Sequence, residues 1–311
     1  MKHIFIMNPA AGKGDAAGSL LEKVRRFAKE AGIDHEIHRS LGKQEIHDYI
    51  VKRVDCGEDI RFYACGGDGT INDVLCGIMG HDNAQLAVIP CGSGNDFVRN
   101  FTNRAKFFDL QAQLDGSVMP VDVIGMDDGG YALNMINIGV DCDIVIKVED
   151  EKKRGSKGAK GYLKGALQVL PHYTAYRMRY ELNGELIEED VILAAIANGM
   201  TCGGGFKSNP TARIDDGLMD VGIIKPVRGL KLMNMLIQYH QGTHLKSKAT
   251  REYVTYFQCS SFTLEPLSEP SASIDGEVIP FKKTRFEILP RAVKFVVPKG
   301  CGLVAGPLPQ N

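Results

Sequence analysis

The sequence carries no surplus of charge: 37 Lys and Arg stand against 38 Asp and Glu, a formal net charge of −1. The overall field of the molecule therefore does not hold a polyanion such as nucleic acid, and any anionic partner must be met by a local patch. Paired cysteines are also missing. The eight cysteines, at 56, 65, 76, 91, 142, 202, 259 and 301, include no C-x-x-C pair and no spacing suited to a zinc cage, which implies reduced, mostly buried thiols and a cytoplasmic setting. No apolar run approaches the roughly eighteen residues of a spanning helix, and the run from His3 to Met7 is too short for a signal peptide. Two phosphate-binding fingerprints, G-x-x-x-x-G-K-[ST] and G-x-G-x-x-G, are absent, which excludes a P-loop enzyme. There is no internal repeat and no low-complexity stretch.

What is present is a chain of 311 residues, 44% apolar, long enough for two cores. Its first part alternates short apolar runs with helical spacing. Residues 3–7 form an apolar run closed by Asn8-Pro9, followed by a helix from Asp15 to Ala31 that Gly32 stops. Ile33 to Arg39 reads as a second strand and Lys43 to Asp55 as a helix. Ile60 to Cys65 and Gln85 to Pro90 are the third and fourth strands, with a helix starting at Thr70 between them. This rhythm predicts a parallel sheet covered by helices, with ligands at the carboxyl ends of its strands.

After Val121-Asp122-Val123-Ile124 the texture changes. The segments 131–138, 176–182, 191–197, 219–224, 253–259, 262–264, 286–289 and 293–297 read as short strands punctuated by Gly, Pro and Asn. Two amphipathic helices, 161–170 and 228–239, interrupt them. The expected fold is α/β: a Rossmann-like three-layer N-terminal domain over residues 1–125, then a mainly antiparallel β-sandwich over 126–298.

Three glycine-rich turns each follow a predicted strand: Asn8-Pro9-Ala10-Ala11-Gly12-Lys13-Gly14, Gly66-Gly67-Asp68-Gly69-Thr70, and Gly92-Ser93-Gly94-Asn95-Asp96. Backbone without side chains approaches phosphate closely, and a helix N-terminus behind the turn adds N–H donors. A single such turn is ordinary. Three on one edge of a parallel sheet are suited to enclosing a nucleoside triphosphate. Asp68, Asp96 and Asp122 stand at or just beyond sheet strands, where carboxylates suit a magnesium ion beside the phosphates. For Asp68 the plain alternative is a turn-stabilising side-chain bond, and for Asp122 a structural place in its strand.

These residues carry a resemblance. Asn8-Pro9-x-x-Gly12-Lys13, Gly66-Gly67-Asp68-Gly69-Thr70-x-Asn72-Asp73-Val74, Pro90-x-Gly92-Ser93-Gly94-Asn95-Asp96-x-x-Arg99 and Asp275-Gly276-Glu277 resemble the diacylglycerol kinase catalytic-domain family, which includes soluble bacterial diacylglycerol kinases, other bacterial lipid kinases and sphingosine kinases. Gly203-Gly204-Gly205-Phe206, Pro210-x-Ala212 and Asp215 to Val221 extend the likeness over nearly the whole chain. NAD kinases share Gly-Gly-Asp-Gly-Thr, and the block from Gly92 to Arg99 separates the lipid kinases from them. Departures are small: Ser93 stands where threonine is common and Asp73 where glutamate is common.

The resemblance implies an ATP- and Mg2+-dependent kinase that phosphorylates a lipid hydroxyl at the membrane surface, diacylglycerol by default. Phosphatidylglycerol, a sphingoid base, an undecaprenol-type alcohol, NAD, and an inactive nucleotide-binding regulator are the rivals. It places ATP among Asn8, Pro9, Ala10, Ala11, Gly12, Lys13, Ser40, Gly66, Gly67, Asp68, Gly69, Thr70, Ile71, Asn72, Ser93, Asn95 and Asp96. It gives Glu277 the role of proton acceptor, with Asp275 as neighbour or rival; from the residues alone, Asp275-Gly276 reads as a two-residue hairpin turn. It also implies a structural magnesium loop using Asp216 and the carbonyls of Arg213 and Leu218, the return of residues 299–311 to the first domain, and a homodimer. Lys152, Lys153, Arg154, Lys157, Lys160 and Lys164 crowd a Gly- and Ser-rich stretch that suits either an anionic membrane surface or solvent.

Overall fold

The computed structural model describes residues 1–9, 16–40, 42–153 and 158–304. The chain divides into two units, one made of Met1–Asp122 and Arg291–Val304, the other of Val123–Pro290.

The first unit opens with β1 (Lys2–Met7), α1 (Ala16–Ala31), β2 (His35–Arg39), α2 (Lys43–Val54), β3 (Ile60–Gly66), α3 (Asp68–Ile78) and β4 (Ala84–Pro90). These four strands are parallel, in the spatial order β2-β1-β3-β4. Side chains of both parities along β1, β3 and β4 are buried, as helix-covered parallel strands require. One face of the sheet carries Phe5, Met7, Tyr63, Cys65, Ala87 and Ile89 in a cluster with Leu21 and Val24 of α1. The short helix α4 (Leu110–Leu114) leads into β5 (Ser117–Met126).

The second unit holds β6 (Tyr131–Ala132), β7 (Met135–Gly139), α5 (Val140–Lys153), α6 (Gly158–Val169), β8 (Tyr176–Leu182), β9 (Glu185–Val191), β10 (Leu193–Ala197), β11 (Met219–Ile224), α7 (Gly229–Gln241), β12 (Val254–Cys259), β13 (Ser261–Pro266), β14 (Ser271–Ile274) and β15 (Glu277–Pro280). A final strand, β16 (Thr284–Val297), begins in this unit and finishes in the first, where Phe295 pairs in parallel with Leu86. Within the second unit one sheet runs β12-β11-β10-β7-β14-β15, antiparallel throughout. A second sheet pairs the start of β16 with β13, β8 and β9, also antiparallel.

Strand β10 shows how sequence builds this unit. Its five residues, Leu-Ala-Ala-Ile-Ala, are all buried and alternate between two cores. Ala194 and Ile196 join the cluster between the two sheets, with Met178, Val221, Phe262 and Phe286. Leu193, Ala195 and Ala197 join the cluster under the helices, with Ile144, Ala166, Leu232 and Met235. The expected α/β unit and antiparallel sandwich are both present. The sandwich has in addition a helical cover that includes α5, a segment to which the sequence reading assigned no element. Val140, Ile144 and Val148 supply its buried face at four-residue spacing. Among the described residues no helix is long and apolar enough to cross a membrane.

Candidate nucleotide site and the Asp275 hairpin

In the first unit the chain passes from β1 to β2 on one side and then back across β1 to β3 on the other, so the switch of direction falls between β1 and β3. Open parallel sheets bind ligands outside the strand ends at such a point. Asn8 stands there at the end of β1. Its backbone N–H donates to the Cys65 carbonyl (3.2 Å), and its Nδ2 donates to Thr70 Oγ1 in the first turn of α3 (3.0 Å). Ser40, at the end of β2, is buried; its N–H donates to the Met7 carbonyl (2.9 Å) and its Oγ accepts from the Gly42 N–H (3.2 Å). Three strand ends are thus bonded together.

The second and third glycine turns interlock backbone to backbone. The Cys91 N–H donates to the Gly66 carbonyl (2.7 Å). A Cβ on Gly92 would lie 2.4 Å from the Gly67 Cα, and one on Gly66 would lie 2.2 Å from Thr70 Oγ1. Neither position admits a larger residue. Asp68 closes the pair: its Oδ1 accepts the Asp96 N–H (2.8 Å) and the Phe97 N–H (3.3 Å), at the start of a 3-10 turn over Phe97–Asn100. Asn95, at φ 51°, accepts the Gly92 N–H through Oδ1 and donates to the Gly92 carbonyl through Nδ2. Arg99 braces the turn from behind, bonded to the Gly94 carbonyl (3.0 Å) and paired with Asp96 (3.2 Å). Beneath them Phe97 and Phe101 pack on Phe295 of β16.

On this scaffold Gly69 and Ser93 are exposed, whereas Thr70, Ile71, Asn72 and Asp96 are buried. The Ile71 N–H already donates to the Gly67 carbonyl (3.1 Å) as the first helical bond. The preceding amides of α3 lie at a helix N-terminus, where backbone N–H groups and the helix dipole favour an anion. Pro9 is exposed beside Asn8, and Ala10, Ala11, Gly12 and Lys13 lie outside the described residues. Burial pushes up the thiols of Cys65 and Cys91 beside these turns, which makes both poor nucleophiles. Asp122 is fully buried on β5, where its Oδ1 accepts the Arg291 N–H (2.7 Å) at a positive-φ residue of β16.

In the second unit Asp275-Gly276 is the two-residue connection between β14 and β15, with φ 45° and 95°. Positive φ at both central residues is the turn that matches the twist of a hairpin. Asp275 is buried, and its carboxylate accepts three N–H groups: Leu133 at 2.8 Å, Asn134 at 3.0 Å and Met135 at 2.9 Å. The same segment is held from its other side by Asn198, whose Nδ2 donates to the Leu133 carbonyl (2.7 Å), and by Asn134 itself, which donates to the Thr201 carbonyl (2.9 Å). Glu277, at the start of β15, is exposed. Sequence reasoning found Asp275 but not its work, because its three donors lie far away along the chain. Asn134 and Asn198 were missed; the only signal was asparagine inside or beside apolar strand runs.

The loop 212–218 is a tight turn. Gly217 has φ 75°, Asp216 Oδ1 accepts the Leu218 N–H (3.1 Å), and Arg213 pairs with Asp215 (3.2 Å). Its carboxylates and carbonyls are the oxygen donors that a hard cation such as magnesium takes, so the chemistry of the loop fits the ion. Among the described residues no group of three or more His, Cys, Asp or Glu is placed to hold a metal. Lys164 is described and exposed, whereas Arg154 and Lys157 of the basic stretch, and the side chains of Lys152, Lys153 and Lys160, lie outside the described residues.

A parallel α/β unit with bonded glycine turns, followed by a helix-covered antiparallel sandwich, is the architecture of a class of two-unit kinases. Solved structures share it: a diacylglycerol kinase of Bacillus anthracis str. Sterne superimposes with a TM-score of 0.68 at 22% identity, over 95% of this chain and 96% of that one. An NAD kinase from Archaeoglobus fulgidus in complex with ATP gives 0.53 at 12% identity, over 96% and 94%. Family models match in two consecutive blocks, the diacylglycerol kinase catalytic domain over residues 2–126 and the YegS C-terminal NAD kinase beta sandwich-like domain over 134–297. The chain belongs to the diacylglycerol kinase catalytic-domain family of lipid kinases. Among curated relatives, the diacylglycerol kinase of Bacillus subtilis (strain 168) is 25% identical over 95% of this chain and 96% of its own length. A Shewanella frigidimarina protein named "Probable lipid kinase YegS-like" is 28% identical over 76% of each chain.

Proposed function

We propose that this lipid kinase transfers the γ-phosphoryl group of ATP to the free hydroxyl of diacylglycerol, giving phosphatidate and ADP. The observation that carries the reading is the interlock of the Gly66–Thr70 and Gly92–Asp96 turns through Asp68 at the carboxyl ends of β3 and β4, beside the switch point of the parallel sheet. That geometry supports a phosphate cradle, and the likeness to a diacylglycerol kinase along almost the whole chain supports the acceptor. A second reading, phosphorylation of phosphatidylglycerol or another lipid alcohol, is favoured by the YegS-type match over residues 134–297.

In this reading Asn8, Ser40, Gly66–Asn72, Ser93, Asn95 and Asp96 surround the nucleotide, together with residues 9–13. Asp68, Asp96 and Asp122 are the candidates to hold magnesium there, and Asp216 with the carbonyls of Arg213 and Leu218 the candidates for a structural ion. Bound magnesium neutralises phosphate charge. Glu277 accepts the proton of the attacking hydroxyl as the new oxygen–phosphorus bond forms and the bond to ADP breaks. Its exposure supports this choice over Asp275, whose oxygens are occupied by three backbone N–H groups.

The test is ATP-dependent labelling of a lipid panel containing diacylglycerol, phosphatidylglycerol and sphingosine. Diacylglycerol should be labelled fastest, and Asp68→Ala and Glu277→Ala should abolish transfer. Preferred labelling of phosphatidylglycerol selects the second reading. Turnover of NAD with no labelled lipid sinks both.

A further inference from the structure

We propose that the outward face of α7 is the surface by which this protein sits on an anionic lipid bilayer. The helix carries two apolar stripes. Leu232, Met235 and Tyr239 are buried in the helix-side core of the second unit with Ile224 and Val227. Leu230, Met233 and Ile237 repeat the same three- and four-residue steps on the opposite side, and they are 90%, 40% and 54% exposed. One exposed leucine is ordinary, but an aligned stripe on a helix that has already buried its core face marks a contact surface. Ile146 of α5 and Leu167 of α6, 50% and 46% exposed, add apolar surface to the same helical cover.

Charge identifies what lies against it. From Lys225 to Arg251 the chain contains six basic residues, Lys225, Arg228, Lys231, Lys246, Lys248 and Arg251, and no Asp or Glu. This is a sharp local departure in a protein whose charges balance over the whole chain. All but Lys225 are exposed. The segment carrying Lys246, Lys248 and Arg251 is tied back to α7 by Thr250 Oγ1, which donates to Gln238 Oε1 (2.9 Å). At the N-terminal end of the helix, Arg228 lies over the ring of Tyr173 (5.8 Å) and Lys231 over that of Tyr253 (5.1 Å). Lys231 also pairs with Glu252 and Lys225 with Glu189, so part of the charge is balanced locally and the remainder faces outward.

An apolar stripe on a helix accompanied by exposed basic side chains is the pattern of an element lying in the headgroup region: the apolar groups enter the acyl boundary and the cations meet anionic headgroups. A second copy is the poorer occupant, because a twofold contact would set this acid-free segment against itself. The proposal rests on the lipid-kinase reading only in that a membrane-resident substrate gives the contact its purpose.

The experiment is co-sedimentation of the full chain with vesicles, without nucleotide. Phosphatidylcholine vesicles with and without phosphatidylglycerol are compared, and light scattering measures the mass in solution. Wild-type protein should pellet with the phosphatidylglycerol vesicles, less so at high salt. The double variant Leu230→Glu/Ile237→Glu should bind at least about tenfold more weakly. A second variant, Lys246→Glu/Lys248→Glu, should bind more weakly and lose most of the salt dependence. Both should phosphorylate a dispersed short-chain diacylglycerol at the wild-type rate. Wild-type protein that stays in the supernatant overturns the proposal. So do variants that bind as wild type, or a Leu230→Glu/Ile237→Glu protein whose mass halves while its vesicle binding persists. Loss of vesicle binding in the variants of a protein that labels no lipid would sink the kinase reading and leave this surface standing.

Discussion

Gly92→Ala and Gly69→Ala separate the two kinds of work that glycine does in the proposed nucleotide turns. At Gly92 a methyl group would lie 2.4 Å from the Gly67 Cα and 2.9 Å from Asn95 Oδ1, about 1 Å inside ordinary contact with backbone that has no rotamer to turn. Relief requires the third turn to move away from the second, which stretches the Cys91 to Gly66 bond and the two N–H bonds to Asp68. Overpacking of this kind costs about 2–3 kcal/mol, which lowers Tm by roughly 5–10 °C in a unit of this size. At Gly69, by contrast, nothing lies within 4 Å and the residue is already helical. Alanine there is expected to hold or raise Tm, since alanine favours a helix by about 1 kcal/mol over glycine. The added methyl group nevertheless occupies the space proposed for phosphate, so KM for ATP should rise about tenfold or more. Thermal melting and initial rates across ATP concentrations decide both points. A Gly92→Ala protein that melts with the wild type refutes the interlock, and a Gly69→Ala protein with wild-type KM refutes the cradle.

Asp275→Asn should lower stability by about 2–3 kcal/mol, because buried N–H groups lose a charged acceptor. Glu277→Gln should leave Tm unchanged and cut kcat by about a hundredfold or more; denaturant melts and rates on one panel of proteins check the pair, and equal stability of both variants would contradict the assignment. The rings of His3 and His244 are held to about 4 mainly by burial. Their folded forms are neutral while the unfolded chain takes protons below its ordinary value near 6.5, so their stability is fully present above that pH and is lost as pH falls toward 4. The combined loss is on the order of 3–6 kcal/mol by pH 4. Urea melts between pH 7.5 and 4.5 should show it, and a slope that His244→Gln leaves unaltered would count against this origin.

The parallel half of the molecule was legible because its strands are buried on both faces and end in glycine. Runs such as Phe62-Tyr63-Ala64-Cys65 announce themselves. The second unit was legible as an antiparallel sandwich but not for the second core under its helices, since β10 serves two cores at once and its alternation is hidden when every residue is apolar. β9 was not foreseen: Glu185 to Val191 carries four acidic side chains, and the strand is held by pairing with β8 and by charges such as Arg179 opposite Glu188. Helix α5 was hidden by the acidic and basic run at its end. In the candidate site, the glycines and Asp68 were visible because only their residue types fit such turns. Ser40 was visible only through the family resemblance, since nothing beside it in the sequence marks it, and the structure buries it between strand ends. The three amides that hold Asp275 left no local trace, because hydrogen bonds across a fold obey no spacing rule along the chain.

Strand β16 sets an order of assembly. Phe295, on which Phe97 and Phe101 rest, follows residues 123–290 of the second unit along the chain. The described residues of the second unit form one continuous stretch, 123–290, which can condense during translation, as domains generally do. The first cannot complete its sheet or the floor under its third glycine turn until residues 291–304 arrive. A nascent chain halted before β16 therefore carries the glycines of the third turn without the aromatic support beneath them, and the complete form of the proposed nucleotide site is one of the last features the polypeptide acquires.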